Sequence, residues 1–449
     1  MGGDSNEPRI RRLLVVAYYF PPRSGGGVQR TAKFVRYLPE FGWLPTVLTI
    51  ATSFYGDNLD LSHVNDFPDA VEVIRTRAAR SVTYSSRLLR FTFGLGRMCF
   101  SSTTRRMRKA RWFAGRKRPG SDRFHPKGAI LWLFHAVRAG LRAHRRRRFE
   151  LIYATGEPYS DFLVAWMLSL LTRTPLVLDM RDPWTLDPYE GELGSKVGQF
   201  VQGLGEHRTL SACSACIFAN QSIDRYAEVF PKWRHKFHYI PNGYDAADFD
   251  NIAPKQFEKF TIVHNGSFLP GYRTADKFLL ALRDLLKANP ELRQRMQVLF
   301  VGKIGQEEQL VRDLSLDGVV QHIGYVPHRR SIEYLRGADL LLLVGGRHRW
   351  EETAKLYEYL ASGKPILASL RLDGAAANLL RRHSSARIVD RESVLETTAA
   401  LAEAVLQGRV VQALSNREQA DQIKQWERRL LTQKLAHILD VASASQGRV

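Results

Sequence analysis

Two segments of the chain carry residue types suited to phosphate chemistry. In "PPRSGGGVQR" (21–30), Gly25, Gly26 and Gly27 stand between an apolar run at 13–17 and a helical pattern. A strand, a glycine loop and a helix start bring backbone N–H groups against an anion. The spacing is neither G-x-G-x-x-G nor a Walker loop, and glycines here also suit a plain tight turn. In the second segment, "LLLLVGG" is followed by Glu351 and Glu352, then by "TAKLYEYLASG" with Lys355 and Glu358. Three apart on one helix face, these two offer a cation and a carboxylate to one ligand, or a local ion pair to each other.

Other polar residues follow strand-like runs. Gly156-Glu157-Pro158 follows "LIYAT", Arg181-Asp182-Pro183-Trp184 follows "LVLDM", and Pro270-Gly271-Tyr272-Arg273 follows "FTIVHNGSF". Asp182 before Pro183 also suits a helix cap. No H-E-x-x-H or G-x-S-x-G occurs, and the histidines are scattered. Cys99, Cys213 and Cys216 are too few for a disulfide framework, which points to a reducing compartment. "CSAC" at 213–216 has no second pair and reads as buried small residues.

The elements that must position these residues alternate between apolar strands and amphipathic helices. Helices are expected at 29–42, 127–147, 160–173, 193–212 and 274–289, among others. Near-continuous apolar strands imply parallel sheets covered on both faces. The pattern occurs twice around a hinge-like stretch at 241–259. The expected architecture is therefore α/β, with two doubly wound Rossmann-like domains, 1–244 and 245–449, facing a central cleft. The last helices are expected to pack back towards the first domain. Ligands of such sheets bind beyond the C-terminal strand ends, where the residues above lie.

Charge is unevenly distributed. Between Arg75 and Arg148 there are 22 Lys and Arg residues and one acid, Asp122, which accounts for the whole net charge of +21. Aromatics such as Phe91, Phe100, Trp112 and Trp132 are interleaved. A basic, aromatic surface suits anionic lipid headgroups or nucleic acid. Arg105, Arg106, Arg108, Lys109, Arg111, Trp112 and Arg145, Arg146, Arg147, Arg148 form its densest parts. With a polar start no secretory signal is expected, and the apolar runs are shorter than the ~20 residues of a membrane span. A cytoplasmic protein, peripheral on the inner face of the membrane, is expected.

The motifs in order resemble a GT-B glycosyltransferase of the family 4 type. "PPRSGGGVQR" is similar to that family's N-terminal glycine loop. "ATGEPYS" and "LDMRDPW" resemble paired N-domain motifs of a bacterial surface-glycan subgroup. "YIPNGYDAADF" resembles the interdomain segment. "HNGSFLPGYRTADKFLLAL", "VLFVGK", "IGYVPHRRSIEYLRGADLLLLV" and "KLYEYLASGKPILA" resemble successive C-domain motifs.

The resemblance implies transfer of a sugar from a nucleotide-sugar donor to a lipid-linked or glycan acceptor, with retained configuration and no metal or other cofactor. Glu358 matches the glutamate that takes the ribose hydroxyls. Arg273 and Lys355 are the candidates for the donor diphosphate. Gly25, Gly26, Gly27, Gly266, Glu351 and Leu356 complete the expected donor surface. The family often has a first glutamate eight residues before the ribose glutamate; this chain has Trp350 there, with Glu351 beside it. Glu157 and Asp182 are the choices for contacts to sugar or acceptor. Three other readings are a non-catalytic GT-B subunit, suggested by Trp350, an epimerase of the same architecture, and a basic nucleic-acid-binding protein. The neutral remainder of the chain argues against the last.

Overall fold

A computed structural model describes residues 10–55, 59–61, 66–78, 126–186, 196–383, 385–406 and 421–444. Apolar β1 (Arg11–Val16) lies between β2 (Trp43–Ile50) and β4 (Leu151–Gly156), with Leu13 opposite both Pro45 and Leu151. Adding β3 (Glu72–Thr76), β5 (Leu176–Met180), β6 (Ala215–Phe218) and β7 (Phe237–Tyr239) gives the order β3-β2-β1-β4-β5-β6-β7. The second sheet contains β8 (Phe260–Asn265), β9 (Met296–Val301), β10 (Val320–Gly324), β11 (Leu340–Val344), β12 (Ile366–Leu370) and β13 (Ala386–Asp390). Its order is β10-β9-β8-β11-β12-β13. All pairings are parallel, and the order reverses beside β1 and beside β8. Those reversals are the places where such sheets open a crevice.

Helices α1 (Gly26–Tyr37), α2 (Pro126–Arg147), α3 (Ser160–Thr172), α4 (Lys196–Ala212) and α5 (Ser222–Val229) belong to the first sheet. Around the second lie α6 (Asp276–Ala288), α7 (Leu292–Arg295), α8 (Glu307–Asp313), α9 (His328–Gly337), α10 (Ala354–Ser362), α11 (Ala375–Leu380) and α12 (Val394–Leu406). The helix expected at 29–42 starts earlier and ends at Tyr37. There Pro39, which has no N–H to continue the helical hydrogen bonds, marks the change to a 3-10 segment closed by left-handed Gly42.

α2 to α5 cover one face of the first sheet through Trp132, Phe162, Leu168, Leu210 and Tyr226. The opposite face is shared by α1 and α13 (Arg428–Ala444), whose Leu431, Leu435 and Leu439 are fully buried there. Trp43 Nε1 donates to Asp440 Oδ1 at 2.8 Å, and Arg11 pairs with the same carboxylate at 2.6 Å. The final helix is thus part of the first domain's core.

The stretch between β7 and β8, which contains the expected boundary at 244/245, is fastened to α1. Lys33 pairs with Asp245 at 2.6 Å, and Tyr37 Oη donates to the same carboxylate at 2.8 Å. Arg30 is fully buried and donates to Asp179 and to the carbonyls of Ile240 and Pro241, at 2.8 to 3.2 Å. Burial alone would raise the Asp179 carboxyl, but the Arg30 guanidinium outweighs it and holds that carboxyl below its ordinary range. Cys213 and Cys216 are free and buried, and burial pushes the Cys213 thiol up to about 12. A thiol so protonated is a poor nucleophile.

Candidate active site

Loops from the C-terminal ends of both sheets meet over one cleft. On the first-domain side, β1 leads to Gly25, which caps α1 with φ 127 and has open space where a Cβ would stand. A non-glycine residue is disfavoured there by its backbone. Gly27 has a different reason to be glycine. A Cβ on it would lie 1.8 Å from a guanidinium nitrogen of Arg181. Arg181 Nε donates to Gly156 O at 2.7 Å, and its Nη2 donates to Glu157 O. One guanidinium from the loop after β5 therefore bonds to the loop after β4 and packs against the start of α1. Asp182 follows directly, and its carbonyl accepts from Tyr159 Oη at 2.8 Å.

On the second-domain side, Gly266 follows β8 with φ 147. A Cβ there would lie 1.8 Å from Lys355 Cε, so the Lys355 stem crosses the glycine. α10 has Lys355 in its first turn and turns Glu358 into the same region. Leu356, expected at the donor, is instead fully buried in the domain core, and its N–H bonds to Thr353 O. Arg273 forms a buried ion pair with Glu351, and Tyr272 Oη donates to the same carboxylate at 3.0 Å. Glu351 therefore neutralises a cation expected to face the diphosphate. Trp350 is buried, stacked on His348 with centroids 4.9 Å apart.

Helix spacing alone would give Glu358 to Lys355, but the structure pairs it with His328. Glu358 Oε1 lies 3.0 Å from His328 Nε2, and His328 Nδ1 lies 3.8 Å from Asp248 of the connecting stretch. Burial opposes both charges. The hydrogen bond and the mutual attraction outweigh it, raising His328 and lowering Glu358, so each favours the charged form of the other. The His328 N–H and Tyr325 Oη both donate to Asp60 of the first domain, at 3.2 and 2.8 Å. A second crossing joins Tyr239 of β7 to Glu352 at 2.6 Å, and Tyr357 shares that carboxylate. Burial raises the Glu352 carboxyl despite these donors.

The sequence places Arg181 after a strand without assigning it a role, and it singles out neither His328 nor Asp60. His328 opens a helix in an expected motif, but nothing local reveals its partner. Arg145–Arg148 lie elsewhere: they end α2 just before β4 begins, at the end of the sheet opposite the cleft. At ~3.3 Å per strand residue, the six-residue β4 holds them roughly 20 Å from the cleft loops. Arg105 to Trp112 lie outside the described residues. Among the described residues, no group of three or more His, Cys, Asp or Glu is placed to hold a metal ion.

Two doubly wound domains with facing strand-end loops define the GT-B class. Residues 25–243 match the Glycosyl transferase 4-like domain and residues 266–407 match the Glycosyl transferases group 1 family. The chain belongs to these family 4-like GT-B glycosyltransferases. Its fold is similar to sucrose-phosphate synthase from Thermosynechococcus elongatus, with a TM-score of 0.67 and 14% identity over 97% of this chain and 100% of that one. Anabaena HepE, solved in complex with UDP, gives 0.58 and 14% over 96% and 100%. WaaG, a glycosyltransferase involved in lipopolysaccharide biosynthesis, gives 0.55 and 14% over 95% and 99%. No curated protein matches the sequence. The enzyme is a glycosyltransferase, which sets the epimerase reading aside. Among the described residues no helix is long and apolar enough to cross a membrane.

Proposed function

We propose that the enzyme moves a sugar from a nucleotide-sugar donor to a lipid-linked or surface-glycan acceptor, at the inner face of the cell membrane. The observation that carries the donor side is the grouping of Glu358, Lys355 and Arg273 where the second domain's strands end. An ionised carboxylate accepts two hydroxyl hydrogens at once, which suits Glu358 to a ribose. Lys355 lies across Gly266, where a cation offsets charge growing on a leaving diphosphate. Arg273 joins it when donor oxygens replace Glu351 as its partner, and the freed Glu351 then faces the sugar. The similarity to HepE, which was solved with UDP, favours a uridine nucleotide.

Glu157, Asp182 and the backbone of Gly25 and Gly26 form the opposite wall, towards sugar and acceptor. Transfer proceeds with retention by same-face attack, without a covalent enzyme intermediate, and the cationic side chains serve in place of a metal. The test is a panel of nucleotide sugars screened by thermal stabilisation, since a ligand of the folded state raises apparent stability by RT ln(1 + [L]/Kd). One donor should shift the wild type, the shift should survive EDTA, and Glu358→Ala should abolish it. An undiminished shift in Glu358→Ala would remove that residue from the donor site.

A further inference from the structure

The surface of the first domain carries an apolar stripe that nothing among the described residues covers. On α4, Val197, Phe200, Val201 and Leu204 are 73%, 73%, 59% and 47% exposed. Their i, i+3, i+4, i+7 spacing aligns them on one helix face. On neighbouring α3, Leu170 and Leu171 are exposed, and Trp166 and Met167 partly so. On α2, beyond α3, Phe134 is 69% exposed. The three helices cover one face of the sheet and run antiparallel to its strands. Each therefore starts at the cleft end, which places the α4 stripe beside the active-site opening.

The exposed charges of α2, α3 and α4 have one sign. Arg138, Arg142, Arg146, Arg173, Lys196 and Arg208 are exposed. α2 contains no acid, and the carboxylates of α3 and α4 point inward. Asp161 accepts from the Tyr18 N–H at 2.7 Å, and Glu206 accepts from Tyr226 Oη and the Thr185 N–H. Among the described residues of these helices, no carboxylate is exposed.

We propose that the α2–α3–α4 face docks on an anionic lipid bilayer, with the α4 stripe entering the interface and the Arg and Lys residues on headgroup phosphates. Apolar side chains at the acyl boundary and cations at the headgroups are what such an interface selects. A second copy would bring the same positive field and repel. A nucleic acid would neutralise the cations but leave the aliphatic stripe in water. This inference rests on the membrane association proposed above and gives it a surface. The docked face keeps the cleft next to the bilayer, in reach of a lipid-borne acceptor.

The test uses the full chain and sucrose-loaded vesicles of phosphatidylglycerol with phosphatidylethanolamine, compared with phosphatidylcholine. Wild type should sediment with the anionic vesicles only. Phe200→Ser/Val201→Ser should bind at least tenfold more weakly, and Arg138→Gln/Arg142→Gln should bind more weakly and with less salt dependence. Melting temperature and the response to UDP should be unchanged in both. If wild type binds and the variants bind equally well, this surface is wrong while membrane association stands. If wild type stays in solution, both fail. A concentration-dependent dimer that Phe200→Ser/Val201→Ser dissolves, or preferential binding to poly-U RNA, would also overturn the assignment. Absence of any UDP response would count against the donor reading and leave the vesicle result interpretable.

Discussion

His328 Nε2 lies 3.0 Å from Glu358 Oε1, while the backbone N–H of the same histidine reaches Asp60 across the cleft at 3.2 Å. One residue thus holds the proposed ribose-binding carboxylate and the opposing domain together. Its side chain also stands 3.8 Å from Asp248 in the connecting stretch. The proposed donor site and the contact between the domains share this residue.

The pair has a pH signature. Folding raises His328, so its contribution is complete below the ordinary histidine value of 6.5 and fades as pH rises through the folded-state value. Folding lowers Glu358, so its contribution is present above the ordinary 4.5 and lost as pH falls through the folded-state value. Between those two ordinary values both contributions are present. The melting temperature of His328→Asn should fall furthest below wild type between pH 4.5 and 6.5, and the gap should narrow as pH rises through the folded-state histidine value. A pH-independent gap in calorimetric scans would show that the pair is not ionised.

Arg273 and Glu351 separate stability from activity. Removing one partner leaves a buried charge uncompensated, which costs about 3–5 kcal/mol. Arg273→Ala should therefore unfold at lower denaturant and lose turnover by about a hundredfold or more. Arg273→Ala/Glu351→Ala should recover most of the stability while staying inactive. Recovery of turnover in the double variant would mean that Arg273 acts only as a structural partner of Glu351.

Asp60 tests the closure. Hydrogen bonds to a charged acceptor are worth about 1.5–3 kcal/mol each, and Asp60 accepts two from the second domain. Asp60→Ala should keep its melting behaviour within each domain, raise KM for the donor by about tenfold, equivalent to about 1.4 kcal/mol, and enlarge the radius of gyration in X-ray scattering. An unchanged radius and KM would show that other contacts, such as Tyr239 to Glu352, hold the domains.

The sequence by itself determined the two-sheet architecture, the strand ends where the site lies, and the segment that carries the net charge. These follow from local rules: an apolar run of five or six residues bounded by glycines makes a buried parallel strand, and its C-terminal end must face the crevice. The alternation "LLVVAYYF", glycine loop, helix is read from neighbours in the chain. Only the tertiary structure decided the pairings. Arg273 finds Glu351 78 residues away, Asp60 finds Tyr325 265 away, and Trp43 finds Asp440 397 away. Helical period shows that one face of α10 is apolar, but not that Leu356, Tyr357, Tyr359 and Leu360 are all buried. Likewise, composition shows that Arg145–Arg148 are basic, but only the path of α2 back along the sheet puts them at the end away from the cleft. Such partners are fixed when crossovers stack helices on both sheets, a geometry that no local spacing encodes.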